Sequence, residues 1–130
     1  MKRLFKLLTV ALLAATTFSI SSAYAENVVI KGAFEGKSNH ITTGDVQIIK
    51  ASDGSYKVIL ADNFSLDGAP DPKLAFGKNG VDKSSIFAPL KHKTGKQEYS
   101  LPAGIDPTKY NEIYIWCEKF SVPLGVANLH

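Results

Sequence analysis

The chain has 130 residues, with 15 lysines and arginines against 12 aspartates and glutamates, which gives a formal net charge of +3. Three of the basic residues (Lys2, Arg3 and Lys6) stand at the very start, and the other 12, all lysines, balance the 12 acids. The sequence beyond residue 25 is therefore near neutral, and its charge gives no argument for a nucleic-acid ligand or an anionic membrane surface.

The N-terminal segment predicts export from the cytoplasm. Its basic start precedes an apolar run over residues 7–18, which is too short to span a bilayer. Ala23-Tyr24-Ala25 then has the small-x-small pattern of a signal-peptidase cleavage site. We expect residues 1–25 to be a cleaved signal peptide and residues 26–130 to form one domain, periplasmic or secreted, with no transmembrane segment after cleavage.

Short alternating segments follow in the first half of the domain. Apolar side chains alternate over residues 28–35, which predicts a first strand. Residues 45–50 and 56–60 also alternate, and Asp53-Gly54 lies between them. Because glycine readily adopts a positive φ, this pattern predicts a β-hairpin over residues 46–60 that turns at Asp53-Gly54.

The second half begins with a loop rich in proline and acidic residues, residues 62–72. Short strands are predicted at residues 73–76 and at residues 97–101, where Pro102 ends the second one. Asp106 followed by proline is typical of a capped helical turn.

Residues 113–117 contain the only cysteine of the chain next to its only tryptophan. Alternation in a strand places Ile113, Ile115 and Cys117 on one face, with Tyr114 and Trp116 on the other. Both faces are bulky and apolar, so we predict a central strand that is covered on both sides.

The fold class follows from the number and length of these segments. We count seven to nine short strands with turn signals at close intervals, and no amphipathic segment of helical length. This pattern predicts an all-β domain, an antiparallel β-sandwich or a small barrel.

Cys117 is the candidate functional residue, because a lone cysteine cannot form an internal disulfide. It can be a buried structural thiol, an intermolecular partner, a ligand or a redox group. Redox chemistry needs access and a lowered thiol pKa, and Lys119 is the cation nearest in sequence. The charged pair Glu118-Lys119 directly after Cys117 predicts that the strand nears solvent there and leaves the thiol partly reachable.

Metal binding is a further hypothesis, because a thiolate with imidazoles suits copper, zinc or haem iron. Of the three histidines, His40, His92 and His130, only His40 is a candidate companion of Cys117. The sequence beyond residue 25 has no methionine for an axial copper ligand, and it has no C-x-x-C-H motif for covalent haem. We therefore assign no metal site.

Other chemistries are not indicated. The acids of the loop at residues 62–72 match no calcium-binding spacing, and turn formation explains them. No nucleophile-base-acid set and no phosphate-binding glycine loop is present. The sequence therefore does not predict a hydrolase or a transferase.

Several stretches together resemble the DM13 (electron transfer) domain family, in the order of that family. They are Gly32-Ala33-Phe34, His40-Ile41-Thr42-Thr43-Gly44-Asp45-Val46, Leu60-Ala61-Asp62-Asn63-Phe64, Gly68-Ala69-Pro70-Asp71-Pro72, Gln97-Glu98-Tyr99-Ser100-Leu101-Pro102 and Ile115-Trp116-Cys117-Glu118-Lys119-Phe120-Ser121-Val122. The resemblance implies a small all-β extracytoplasmic domain with a role in electron transfer. It also implies that Cys117 acts as a bare thiol or as a ligand to a prosthetic group.

We therefore expect an exported redox or electron-transfer accessory module that uses Cys117, with His40 near it, rather than a typical enzyme. The cofactor stays open between none, haem and copper bound through Cys117, and a partner such as a cytochrome is expected. The alternative is a non-catalytic binding domain in which Cys117 is a buried structural thiol.

Overall fold

The structure, a computed structural model, describes residues 27–130. The expected signal peptide, residues 1–25, lies outside the described residues. This part of the chain contains eleven strands, single-turn 3-10 helices at Lys83–Ser85 and Pro107–Lys109, and no α-helix. The strands are β1 (Val28–Gly36), β2 (Thr42–Thr43), β3 (Asp45–Lys50), β4 (Tyr56–Leu60), β5 (Ser65–Leu66), β6 (Pro72–Gly77), β7 (Val81–Asp82), β8 (Ala88–Pro89), β9 (Gln97–Ser100), β10 (Glu112–Cys117) and β11 (Val122–Asn128).

Nine of these strands form one sheet in the order β7-β6-β10-β11-β1-β3-β4-β9, with β8 paired to β6 beside this path. All the pairs are antiparallel, and the sheet curls into a half-barrel. The prediction of an all-β antiparallel domain is confirmed, and the observed form is the barrel-like one. No helix among residues 27–130 is long and apolar enough to cross a membrane.

The concave side of the sheet holds the main hydrophobic core. It joins side chains from strands near both edges of the sheet, including Leu74 of β6 and Tyr99 of β9. Phe87, just before β8, bridges the two edges: its ring centroid lies 5.6 Å from that of Phe76 and 6.4 Å from that of Tyr99. Burial of these apolar surfaces favours the curled form of the sheet over a flat one.

The predicted hairpin is confirmed. Strands β3 and β4 pair from Val46 opposite Leu60 to Lys50 opposite Tyr56. The connection has a turn in which the backbone N–H of Gly54 donates to the Ala51 carbonyl at 2.9 Å, and Gly54 has φ 88°. The glycine therefore occupies the left-handed conformation that the sequence predicted for it.

The predicted helical turn is also confirmed. Its first residue is Pro107, and Asp106 caps it, because the Asp106 side chain accepts a hydrogen bond from the Thr108 backbone N–H at 2.9 Å. The short strands predicted at residues 73–76 and 97–101 correspond to β6 and β9.

A small second sheet, β2 paired with β5, covers part of the core, and we call it the cap. Thr42 is 1% exposed, and its hydroxyl donates to the Leu124 carbonyl of β11 at 2.8 Å. A Cβ on Gly125 would lie only 2.7 Å from the Thr42 side chain, so only glycine allows this approach. Phe64, next to β5, meets the Phe34 ring edge-on at 5.5 Å. These contacts fix the cap on β1 and β11.

Candidate functional site

Cys117 is the last residue of β10, and this strand lies between β6 and β11. It pairs with Pro72 on one side and with Val122 on the other. Its side chain joins the main core with Ile113 and Ile115. Tyr114 and Trp116 form a second cluster on the opposite face, so the predicted assignment of the two faces is confirmed.

The thiol is buried, with only 1% of Cys117 exposed, so the expected partial access is not found. The physical reason is that β10 stays paired on both sides through Cys117 itself. The backbone N–H of Glu118 then donates to the Asp71 carbonyl at 3.1 Å, and the exposed turn begins only after the thiol. The sequence showed the charged pair but not the two neighbouring strands that cover the strand end.

The cation at this strand end is Lys73 rather than Lys119. Its Nζ lies 3.5 Å from Asp71 Oδ1 and 3.4 Å from Glu118 Oε1. Partial desolvation opposes the charged form, but the two carboxylates prevail and raise the pKa of Lys73. Lys73 stands opposite Trp116 in the β6–β10 pair, on the face away from the thiol. The Lys73 ammonium is therefore held by carboxylates on the side of the strand that faces away from the thiol.

Lys119 contacts an aromatic ring instead of the thiol. Its Nζ lies 5.5 Å from the ring centroid of Phe120. Both residues belong to the exposed turn between β10 and β11. This contact is a cation–π interaction on the surface of the domain.

His40 is part of a hydrogen-bonded turn. Its Nδ1 lies 2.9 Å from Asp67 Oδ1, and the other carboxylate oxygen of Asp67 accepts the Ile41 backbone N–H at 3.0 Å. The Asp67 N–H in turn donates to the Ile41 carbonyl at 3.1 Å. The Ile41 N–H, with a smaller contribution from His40, holds the pKa of Asp67 below its usual range.

His40 and Cys117 come to the same end of the half-barrel, but they do not form one site. The segment 67–71 connects them: Asp67 binds His40, and the Asp71 carbonyl accepts the Glu118 N–H. The hydrogen-bond partner of the imidazole is thus Asp67, and the thiol stays inside the core.

The donor set does not fit copper or haem. Within residues 27–130, no group of three or more His, Cys, Asp or Glu side chains is arranged to hold a metal ion. His92 and His130 are exposed, and their backbones pair with Gln97 and Lys31 respectively. A haem ligated by Cys117 would need the space that apolar side chains of the core now fill.

A comparison with protein families shows the family to which the chain belongs. The sequence model of one family, electron transfer DM13, matches residues 33–129. The chain belongs to the electron transfer DM13 family. No curated protein and no solved structure matches it. The resemblance identified in the sequence is confirmed, and membership of this family supports a role as an electron-transfer module.

In this DM13 domain, the residues that surround the candidate site come from distant parts of the chain. Sequence reasoning missed Lys73, because its contact with Glu118 depends on the pairing of β6 with β10 across 45 residues. It also missed Thr42 as the residue that fastens the cap. The one available signal was the position of Thr42 within a family-like stretch, and this signal does not reveal its partner on β11.

Proposed function

We propose that this DM13 domain is an exported electron-transfer accessory module and that Cys117 is its redox atom. Family membership supports electron transfer. The observation that carries the choice of Cys117 is its position at the boundary of the core. It ends the central strand, and the next four residues form an exposed turn.

The proposed chemistry is thiol–disulfide exchange with a disulfide partner. The Cys117 thiolate attacks one sulfur of the partner disulfide, a mixed disulfide forms, and the second sulfur leaves as a thiolate. Attack by another thiolate on the mixed disulfide restores Cys117. Because the thiol is buried, the reaction proceeds from an opened form in which the cap or the turn after β10 has moved away. Such local opening generally needs less free energy than global unfolding.

The alternative is a binding domain without redox activity, in which Cys117 only packs the core. The burial of the thiol favours this alternative, since free cysteine is among the most buried residue types. The two functions differ in one measurable property, the reactivity of the thiol in the folded protein.

The test is the rate at which dithionitrobenzoate, an aromatic disulfide, labels Cys117 in the folded chain. Global unfolding kinetics are measured in parallel, and Cys117→Ala is the blank. A labelling rate well above the rate that global unfolding allows supports local opening and the redox proposal. Labelling only at the unfolding rate favours the interaction domain. Metal and haem analysis of protein purified without chelators tests for a bound cofactor. Export is tested by mass spectrometry of the protein recovered from the periplasm or the medium, where the mass should be that of a chain that begins at Glu26.

A further inference from the structure

Two large apolar side chains project into solvent from the loops near Cys117. Ile41, just before β2, is 70% exposed, and Phe120, in the turn between β10 and β11, is 60% exposed. Among residues 27–130, the other exposed large apolar side chain is that of Val29, at 43%. Val29 lies near the start of β1, at the opposite end of the half-barrel. Single exposed apolar residues are common, so the position of Ile41 and Phe120 at one end is the informative feature.

The segment 67–71 connects the two loops that carry these side chains. At its start, Asp67 exchanges backbone and side-chain hydrogen bonds with Ile41. At its end, the Asp71 carbonyl accepts the N–H of Glu118, which is two residues before Phe120. Ile41 and Phe120 thus flank the same five-residue segment. We call this area the Ile41–Phe120 surface.

Both loops are fixed by hydrogen bonds. The N–H and the carbonyl of Ile41 both bond to Asp67, at 3.0 and 3.1 Å. The Ser121 N–H closes the other turn on the Glu118 carbonyl at 3.4 Å. The apolar side chains are therefore held outward before any partner binds, which lowers the entropy cost of association.

Three lysines near the two apolar residues, Lys37, Lys93 and Lys119, have no ion pair among the described residues. The Lys93 side chain lies over Gly68 of the same segment. Three acids here are engaged, since Asp67 pairs with His40, and Asp71 and Glu118 pair with Lys73. The exposed Glu35 of β1 has no ion pair among the described residues, so the unpaired lysines outnumber the unpaired acids. The Ile41–Phe120 surface thus presents an apolar centre with a rim in which unpaired lysines predominate.

We propose that the Ile41–Phe120 surface docks a protein partner whose contact area has an apolar centre and a rim of aspartates and glutamates. An apolar anchor within a polar rim is the usual anatomy of such an interface, and opposite charges speed the encounter. A second copy of the chain would bring lysines against lysines. The lysines are interspersed with the carboxylates of Asp67, Asp71 and Glu118, so the area as a whole has little net charge to attract an anionic membrane. A protein partner, by contrast, can place its acids opposite the lysines alone. The surface does not depend on the chemistry of Cys117.

The experiment places a photoreactive benzophenone analogue of phenylalanine at position 120, 41 or 29 of the full chain, in cells that naturally produce it. The result expected is one protein that crosslinks at positions 41 and 120, is identified by mass spectrometry, and does not crosslink at position 29. The outcomes that overturn the proposal are crosslinks to a second copy or to lipid, equal crosslinking at position 29, and no protein crosslink.

Binding of the purified partner is then measured with variants. Phe120→Ser and Ile41→Ser are each expected to raise the Kd at least tenfold, and Val29→Ser is the matched control with no change. Lys119→Glu is expected to weaken binding and its salt dependence, whereas Lys78→Glu, in the exposed turn after β6, leaves both unchanged. Equal effects of the two lysine variants, or a Kd insensitive to Phe120→Ser, would refute the assignment of this surface.

Discussion

Replacement of Thr42 by valine tests how the cap is fastened over the core that contains Cys117. Valine keeps the β-branched shape of threonine, but it removes the hydroxyl that donates to the Leu124 carbonyl at 2.8 Å. The Leu124 carbonyl also accepts the Lys37 backbone N–H at 3.0 Å, so it keeps one partner in the variant. The change therefore removes one buried hydrogen bond without leaving the carbonyl unpaired.

The loss of this one hydrogen bond sets the expected change in the free energy of unfolding. Loss of one hydrogen bond costs about 0.5–1.5 kcal/mol, whereas an unpaired buried group would cost about 1–3 kcal/mol. We expect Thr42→Val to lower the free energy of unfolding by about 1 kcal/mol, which corresponds to a Tm about 4–8 °C lower for a domain of this size. If the cap is the part that opens, the same 1 kcal/mol raises the opened population, and the labelling rate of Cys117, about fivefold.

Urea denaturation measures the global stability, and labelling with dithionitrobenzoate measures local access to the thiol. Thr43→Val is the matched control, because Thr43 is the exposed neighbour on the same strand. It should leave both quantities unchanged. A Thr42→Val chain as stable as the wild type, or equal effects of the two substitutions, would refute the role given to the Thr42 hydroxyl.

Three further predictions concern the turn and two titratable groups. Gly54→Val should lower the free energy of unfolding by about 1–2 kcal/mol, because φ is 88° there while nothing lies within 4 Å of an added Cβ; an unchanged urea midpoint would contradict the turn assignment. The hydrogen bond from the Ile41 N–H is the largest cause of the lowered pKa of Asp67 in the folded protein. The ionised Asp67 therefore stabilises the fold fully above its pKa in the unfolded chain, about 4, and this stabilisation is lost as the pH falls through the lower pKa of the folded protein. Acid denaturation of Asp67→Asn should accordingly be less steep below about pH 4, and equal slopes would count against this hydrogen bond. Burial, and then Glu112, raises the pKa of Tyr114 to about 12, so stability is lost as the pH rises from the unfolded value near 10 through 12. Tyr114→Phe should reduce that loss, and a wild-type ultraviolet titration complete near pH 10 would contradict it.

The parts of the fold that sequence predicted are those fixed by neighbours in the chain. The hairpin turn at Gly54 depends on residues within a few positions of it. The same holds for the helical turn in which the Thr108 N–H bonds to the Asp106 side chain. The alternation of Ile113, Ile115 and Cys117 with two aromatic residues also follows from the geometry of a single strand. Patterns of neighbouring residues are therefore sufficient to predict the two turns and the two faces of β10.

The candidate site depends on contacts between distant segments, which a single sequence does not reveal. The burial of Cys117 follows from its pairing with Pro72 and Val122, and the first of these partners lies 45 positions away. Thr42 reaches Leu124 across 82 positions to fasten the cap. Composition and spacing therefore made Cys117 the candidate residue, but they could not show that two strands and the core enclose it.

The most direct test of the central claim is the equilibrium of Cys117 with glutathione in the folded protein. The full chain is held in buffers of increasing ratio of oxidised to reduced glutathione, and the mixed disulfide is quantified by intact mass, while circular dichroism follows the fold. The account predicts reversible formation of a mixed disulfide by the folded chain, with the same midpoint from either direction and no signal in Cys117→Ala. A chain that stays fully reduced at every ratio while folded, and forms the mixed disulfide only after denaturation, would contradict a redox function for Cys117.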